Sequence, residues 1–138
     1  MRLVKFLFFF SSFLIFSQNN LIDLNGLKQG YWELYFPYNN DSLISEKGFF
    51  EDNLEHGLWV KYHEDGQVRE LIQYKRGKID GIRVVISKKG KLLEQELYHQ
   101  GEYDGKQIYF HDNGKPSMVG FYDFGKKNGL FTKYYWND

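Results

Sequence analysis

Four histidines and a column of glutamates are the side chains in this 138-residue chain whose types could do chemistry. An imidazole beside a carboxylate could exchange protons in catalysis, and paired imidazoles could hold zinc. Their spacing speaks against both. His63 and His111 hold one position of a 24-residue repeat, two copies apart. In a stacked sheet that is four strand steps, roughly 19 Å, whereas zinc ligands sit about 2 Å from the metal. His56 reads as a turn residue and His99 follows Tyr98 near another turn, so all four are expected as solvated strand-end residues. His63-Glu64 lacks the second histidine of a metalloprotease helix. Glu46, Glu70 and Glu94 share one ladder position, followed by Met118. As a cation-binding ladder they would stand about 10 Å apart, too far for joint acid–base work. They read as a solvent-facing column relieved by lysines such as Lys47 and Lys91. With no cysteine there is no thiolate ligand, disulfide or thiol nucleophile. No phosphate loop, nucleophile elbow or dinucleotide fingerprint is present. The expectation is a chain with no catalytic residues, no cofactor and no metal, and not an enzyme.

The elements that position these residues are marked by glycine. Gly57, Gly81, Gly105 and Gly129 are each 24 residues apart, and Gly30 precedes Gly57 by 27. Counting from these anchors, Gly66, Gly90 and Gly114 recur at offset nine, and Gly77, Gly101 and Gly125 at offset twenty. Gly26 sits four before Gly30 as Gly77 sits four before Gly81, and Gly48 and Gly120 share one further offset, so all 14 glycines fall in one register. Runs such as Leu58-Trp59-Val60-Lys61-Tyr62 and Ile82-Arg83-Val84-Val85-Ile86 are β-branched and aromatic and too short for helices. Between them, Glu64-Asp65-Gly66 and Asp112-Asn113-Gly114 are hairpin turns, and Gly77-Lys78-Ile79-Asp80-Gly81 is a second turn. The fold expected is all-β: an antiparallel β-meander of about nine or ten strands, in stacked two-stranded 24-residue repeats forming one elongated twisted sheet. Offsets one, three and five are the more apolar set and predict the core face, and the aromatic columns at offsets five and seventeen are expected to stack across strands, over glycines that leave room for a ring.

Residues 1–17 read as a secretory signal peptide. Arg2 and Lys5 precede an apolar run over 6–16, and small Ser17 ends it. The run is too short to span a bilayer, which takes roughly 20 residues. The expected mature chain, 18–138, is a single repeat domain with units starting near 30, 57, 81, 105 and 129, no transmembrane segment, and an address in the periplasm, on the cell surface or outside. It carries 16 basic against 18 acidic residues, which gives no electrostatic footprint for nucleic acid.

The stretches His56-Gly57-Leu58-Trp59-Val60-Lys61-Tyr62-His63-Glu64-Asp65-Gly66 and Tyr74-Lys75-Arg76-Gly77-Lys78-Ile79-Asp80-Gly81 resemble the MORN-repeat variant of the bacterial toxin–antitoxin YwqK-family antitoxin group. The shared elements are Tyr-x-x-Gly-Lys-x-Asp-Gly, then Trp or Phe, then Tyr, over residues 26–138. The resemblance implies a non-enzymatic interaction or scaffold module, antitoxin- or immunity-like, with a toxin or an envelope protein as partner. Unit one departs from it with an insertion around 37–41, unit three has Arg83 in place of the offset-two aromatic, and unit five carries one strand.

Aromatics left over from the repeat logic are the candidate partner-binding residues. Trp32 and Trp59 share one column with Tyr109 nearby, a candidate patch for protein or glycan and the basis of an alternative reading as a binder of envelope carbohydrate or membrane surface. Phe131, Tyr134, Tyr135 and Trp136 lie on the last strand, where an exposed edge invites pairing with a partner or a second copy.

Overall fold

Glycine-punctuated runs of Val, Ile, Tyr and Phe suit pleated strands joined by tight turns, and the chain folds accordingly. The computed structural model describes residues 19–38 and 42–136; the expected signal segment 1–17 and residues 39–41 of the insertion lie outside them. The strands are β1 (Leu21–Ile22), β2 (Lys28–Tyr35), β3 (Ile44–Glu51), β4 (Leu54–Tyr62), β5 (Val68–Lys75), β6 (Lys78–Ile86), β7 (Leu92–His99), β8 (Glu102–Tyr103), β9 (Gly105–Phe110), β10 (Pro116–Asp123), β11 (Lys126–Lys127) and β12 (Thr132–Lys133). All 12 pair antiparallel in one open sheet, in chain order, as a β-meander. β8 and β9 both pair with β7, and β11 and β12 both pair with β10, so each couple acts as one interrupted strand. Among the described residues there is no helix, and so none long and apolar enough to cross a membrane.

The two kinds of turn differ in backbone geometry. At one end of the sheet, five-residue turns repeat one pattern: the His63 N–H donates to the Gln67 carbonyl and the Gly66 N–H to the His63 carbonyl, and Ser87 to Lys91 and His111 to Lys115 do the same. At the other end the turns have two central residues, Asp52-Asn53, Arg76-Gly77, Gln100-Gly101 and Phe124-Gly125, all at positive φ, as a type I′ turn demands. The five-residue second turn ending at Gly81 is therefore corrected: the turn is Arg76-Gly77, and Gly81 lies inside β6. Gly26 is also reassigned. Its N–H donates to the Asp23 carbonyl and the Asp23 N–H to the Leu27 carbonyl, which is the five-residue turn, not the I′ turn its sequence offset suggested.

The anchor glycines sit at bulges. Between β5 and β6 the register jumps from Tyr74↔Ile79 to Ile72↔Arg83, so three residues of β6 face one of β5. The bulge swings offsets zero and one away from the preceding strand, and the following strand holds them instead, as Gly57↔Tyr74 and Leu58↔Gln73 show. Each I′ turn also bonds one unit back: the Gly77 N–H donates to the Glu55 carbonyl, Gly101 to Ile79 and Gly125 to Tyr103, each at 2.8 Å.

The core face is the opposite of the one the apolar count predicts. Leu58 and Ile82 of the offset-one set are 55 % and 37 % exposed, whereas Trp32, Phe50, Trp59 and Ile72 are buried. The sheet has no second layer among the described residues, so burial comes from neighbours on the same face. Wide rings supply most of that cover. Trp32, Phe50, Trp59 and Tyr74 pack edge to face in series at 5.8, 4.9 and 6.5 Å between centroids. The offset-seventeen rings thus stack through rings of the intervening strands, not with one another. The two glycines outside both the turns and the anchor positions explain themselves here. A Cβ on Gly48 would lie 2.4 Å from the Trp59 ring, and one on Gly120 would meet the Phe131 ring. It is the offset-two rings that lie over glycines, not those at offsets five and seventeen.

Candidate functional site

Between two aromatic stretches of the buried face lies a charged cluster. β6 carries Arg83 one strand step from β5 on one side and from β7 on the other, and the ladder sets it opposite Ile72 and Glu96. Its guanidinium reaches three carboxylates. Nε donates to Glu70 Oε1 at 2.6 Å, with Nη2 against the same oxygen, and Nη1 donates to Glu94 Oε2 at 2.9 Å and to Glu96 Oε2 at 2.6 Å. Glu96 is 1 % exposed. It also accepts from the Tyr98, Tyr103 and Tyr109 hydroxyls, each at 2.9 Å. Buried Gln107 closes against backbone: its amide donates to the Leu97 carbonyl at 2.8 Å and accepts from the Leu97 N–H at 3.2 Å.

This arrangement fixes charge in place. Burial pushes the Glu96 carboxyl up, but the hydrogen bonds from Arg83 and the three phenols outweigh it and hold the group below the usual carboxylate range. Burial, with the Tyr103 and Glu96 hydrogen bonds behind it, drives the Tyr98 and Tyr109 phenols far above their ordinary value. Arg83 is held above its own high value despite burial, chiefly by Glu96 and Glu70. Glu96 therefore stays ionised and Tyr98 and Tyr109 stay protonated at neutral pH, so none of the three is poised to exchange a proton. The cluster fills the core position that Trp59 and Gly48 fill two strands earlier.

One pH dependence follows. The folded-state pKa of Glu96 lies below its unfolded one, so its contribution to stability is complete well above the ordinary carboxylate value of about 4.3 and is lost as pH falls through the folded pKa. The Tm of the protein should drop as pH falls below the ordinary carboxylate range. Glu96→Gln should start lower at pH 7 and lose less over that fall; an unchanged slope would remove Glu96 from the acid transition.

Three sequence expectations change here. The glutamate column is not solvent-facing at Glu70, which is buried. Its relief is not Lys47 and Lys91: Lys47 lies 5.3 Å over the Tyr62 ring on the other face, and Lys91 Nζ donates to the Asp112 carbonyl. Arg83 and Lys61, the latter 3.5 Å from Glu46, take that role. The polar cluster that sequence reasoning did not find was signalled by Arg83 replacing an aromatic. Two histidines are ties between units: His63 Nε2 lies 2.9 Å from the Ile86 carbonyl and His111 Nε2 2.8 Å from that of Tyr134. His56 is 3.4 Å from Glu51 and His99 3.7 Å from Asp80. Among the described residues no three acidic, histidine or cysteine side chains are placed to hold a metal ion.

The candidate binding residues divide into two groups. Trp32 and Trp59 are core, and Trp59, 2 % exposed with its indole N–H donating to the Phe49 carbonyl at 3.0 Å, has no ring face open to a sugar. Tyr109 belongs to the Glu96 cluster. Phe131 packs over Gly120 and edge-on to Tyr122 at 5.4 Å. Tyr134, Tyr135 and Trp136 are exposed, and so is Leu130 beside them. No protein-family model and no curated protein matches this chain. Function has to be read from the terminal edge and the cluster themselves.

The two edges of the sheet are finished differently. At β2 the Asn20 side chain takes a strand partner's place, donating to the Glu33 carbonyl at 3.1 Å and accepting from the Glu33 N–H at 2.8 Å. That blunts the edge. At the other end, Tyr134 N–H donates to the Ser117 carbonyl and Asn128 N–H to that of Phe121, but residues 129–131 between them lie in no strand. Their counterparts 57–59, 81–83 and 105–107 are all strand.

Proposed function

We propose that this chain is an exported, non-enzymatic MORN-type binding module that docks a protein partner, a toxin or an envelope component, on its C-terminal edge. The observation that carries the reading is the terminal edge itself. Leu130, Tyr135 and Trp136, at 75 %, 78 % and 54 % exposure, lie along a terminal segment whose residues 129–131 have no strand partner among the described residues. Aromatic anchors of this kind dominate protein interfaces. The alternative centre, around Arg83, has its guanidinium taken up by three carboxylates and leaves buried Glu96 no face for a ligand. Export rests on Arg2, Lys5, the apolar run and Ser17 in signal-peptide order.

Native protein recovered from the envelope fraction should begin at Gln18. Used as bait in envelope extract, residues 18–138 should retain a stoichiometric protein partner. Tyr135→Ser with Trp136→Ser should lower that retention at least about tenfold, since buried interface aromatics contribute about 2 kcal/mol or more each. Equal retention by the double variant would place the interface elsewhere.

A further inference from the structure

Among the described residues, the terminal strand lacks the following strand that each earlier unit has. In each of units one to four, offsets zero to four of the first strand are held by the second strand of the same unit. The pairs are Gly30↔Phe50, Gly57↔Tyr74, Gly81↔Tyr98 and Gly105↔Tyr122 at offset zero, and at offset two Trp32↔Gly48, Trp59↔Ile72, Arg83↔Glu96 and Gln107↔Gly120. In units two to four the bulge lifts offsets zero and one off the preceding strand, so the following strand alone pairs those two, while offsets three and four pair on both sides. In unit five, Gly129-Leu130-Phe131-Thr132-Lys133 nearly copies Gly57-Leu58-Trp59-Val60-Lys61. The likeness extends to its floor, since Phe131 lies over Gly120 as Trp59 lies over Gly48. Residues 129–131 nonetheless have no strand partner among the described residues.

Resting on the reading of this edge as the interface, we propose that residues 129–133 receive an extended segment of the partner as an added antiparallel strand, with an acidic residue, then a β-branched or small residue, then an aromatic at alternate positions. The pattern comes from the strand that covers the near-copy. Glu70-Leu71-Ile72-Gln73-Tyr74 pairs with residues 61 to 57, setting Glu70 opposite Lys61, Ile72 opposite Trp59 and Tyr74 opposite Gly57. On the terminal strand the acidic residue faces Lys133, the aliphatic residue stands opposite Phe131, and the aromatic stands opposite Gly129, edge-on to the Phe131 ring as Tyr74 is to Trp59. Main-chain hydrogen bonds supply affinity, and these three alternate side chains on the core face supply specificity.

A synthetic peptide with the sequence of residues 68–75 tests this. It should bind residues 18–138 saturably, with amide chemical-shift changes centred on 129–133. Lys133→Glu should weaken binding about fivefold, and a peptide with Lys at the position of Glu70 should restore it, as an opposed charge pair across strands requires. Because Lys133 is exposed, that variant tests the strand without unfolding the sheet. Leu130→Pro, which removes an amide at the unpaired segment, should abolish binding. Absence of binding at millimolar peptide, or shifts confined to other strands, would overturn strand addition. If the Tyr135 and Trp136 double variant still lost its partner under that outcome, the interface would stand and only its mode would fall.

Discussion

Arg83→Met is expected to destabilise the protein by about 3–5 kcal/mol, the usual consequence of removing one partner from a buried ion pair. The substitution leaves Glu96, fully buried, with three phenols but no countercharge, and leaves Glu70 beside it. Against a total stability of roughly 5–15 kcal/mol for a domain, that loss brings the folded state near its limit. Arg83→Lys should cost less, about 1–2 kcal/mol, because an ammonium keeps the charge but cannot bridge carboxylates on β5 and β7 as the guanidinium fork does. Urea unfolding followed by tryptophan fluorescence reads both. A shift under about 0.5 kcal/mol for Arg83→Met would mean that the cluster is hydrated and carries no core function.

Gly48→Ala is the second large effect. Its Cβ would fall 2.4 to 2.6 Å from three atoms of the Trp59 ring. That ring cannot step aside: it is packed against Phe50 and Tyr74, and its N–H is tied to the Phe49 carbonyl. Overpacking of this kind costs about 1–3 kcal/mol, and the locked ring places Gly48→Ala at the top of that range. Gly120→Ala makes the same clash with Phe131 but should cost less, about 1 kcal/mol, because Phe131 stands on the terminal edge with solvent beside it. The ordering, read from the urea midpoints of the two variants, separates a ring held on every side from a ring held on one. Equal costs would contradict it.

The hairpins and their order were legible because glycine marks most turns and the 24-residue period places them in phase. The period could not say which glycine makes which backbone shape. Gly26 and Gly77 stand equally far from their anchors yet close different turns, since the choice between a five-residue and an I′ turn depends on the hydrogen bonds of the flanking residues. The core face was misread for a related reason. Leu58, Val60, Ile82 and Val84 outscore Lys61, Arg83 and Glu96 in apolarity. In a one-layer sheet, however, burial needs side chains broad enough to cover one another. Trp59 does this with a ring, and Arg83 with a planar fork saturated by carboxylates. Glu70 and Glu94 looked isolated at about 10 Å because only their own column was counted. The intervening strand, which carries Arg83, halves that distance. Of the candidate binding residues, Tyr134, Tyr135 and Trp136 lie on the exposed edge that sequence had pointed to, whereas Trp32 and Trp59 proved to be the rings that the outlying glycine Gly48 accommodates.

In the proposed function, recognition belongs to the terminal edge and the buried charged face holds the repeats together. Amide hydrogen exchange of residues 18–138, alone and saturated with its captured partner, tests this most directly. It should show protection gained over residues 128–136 and unchanged exchange across β5 to β7. Protection gained around Arg83, Glu94 and Glu96, with the terminal residues exchanging as before, would contradict it.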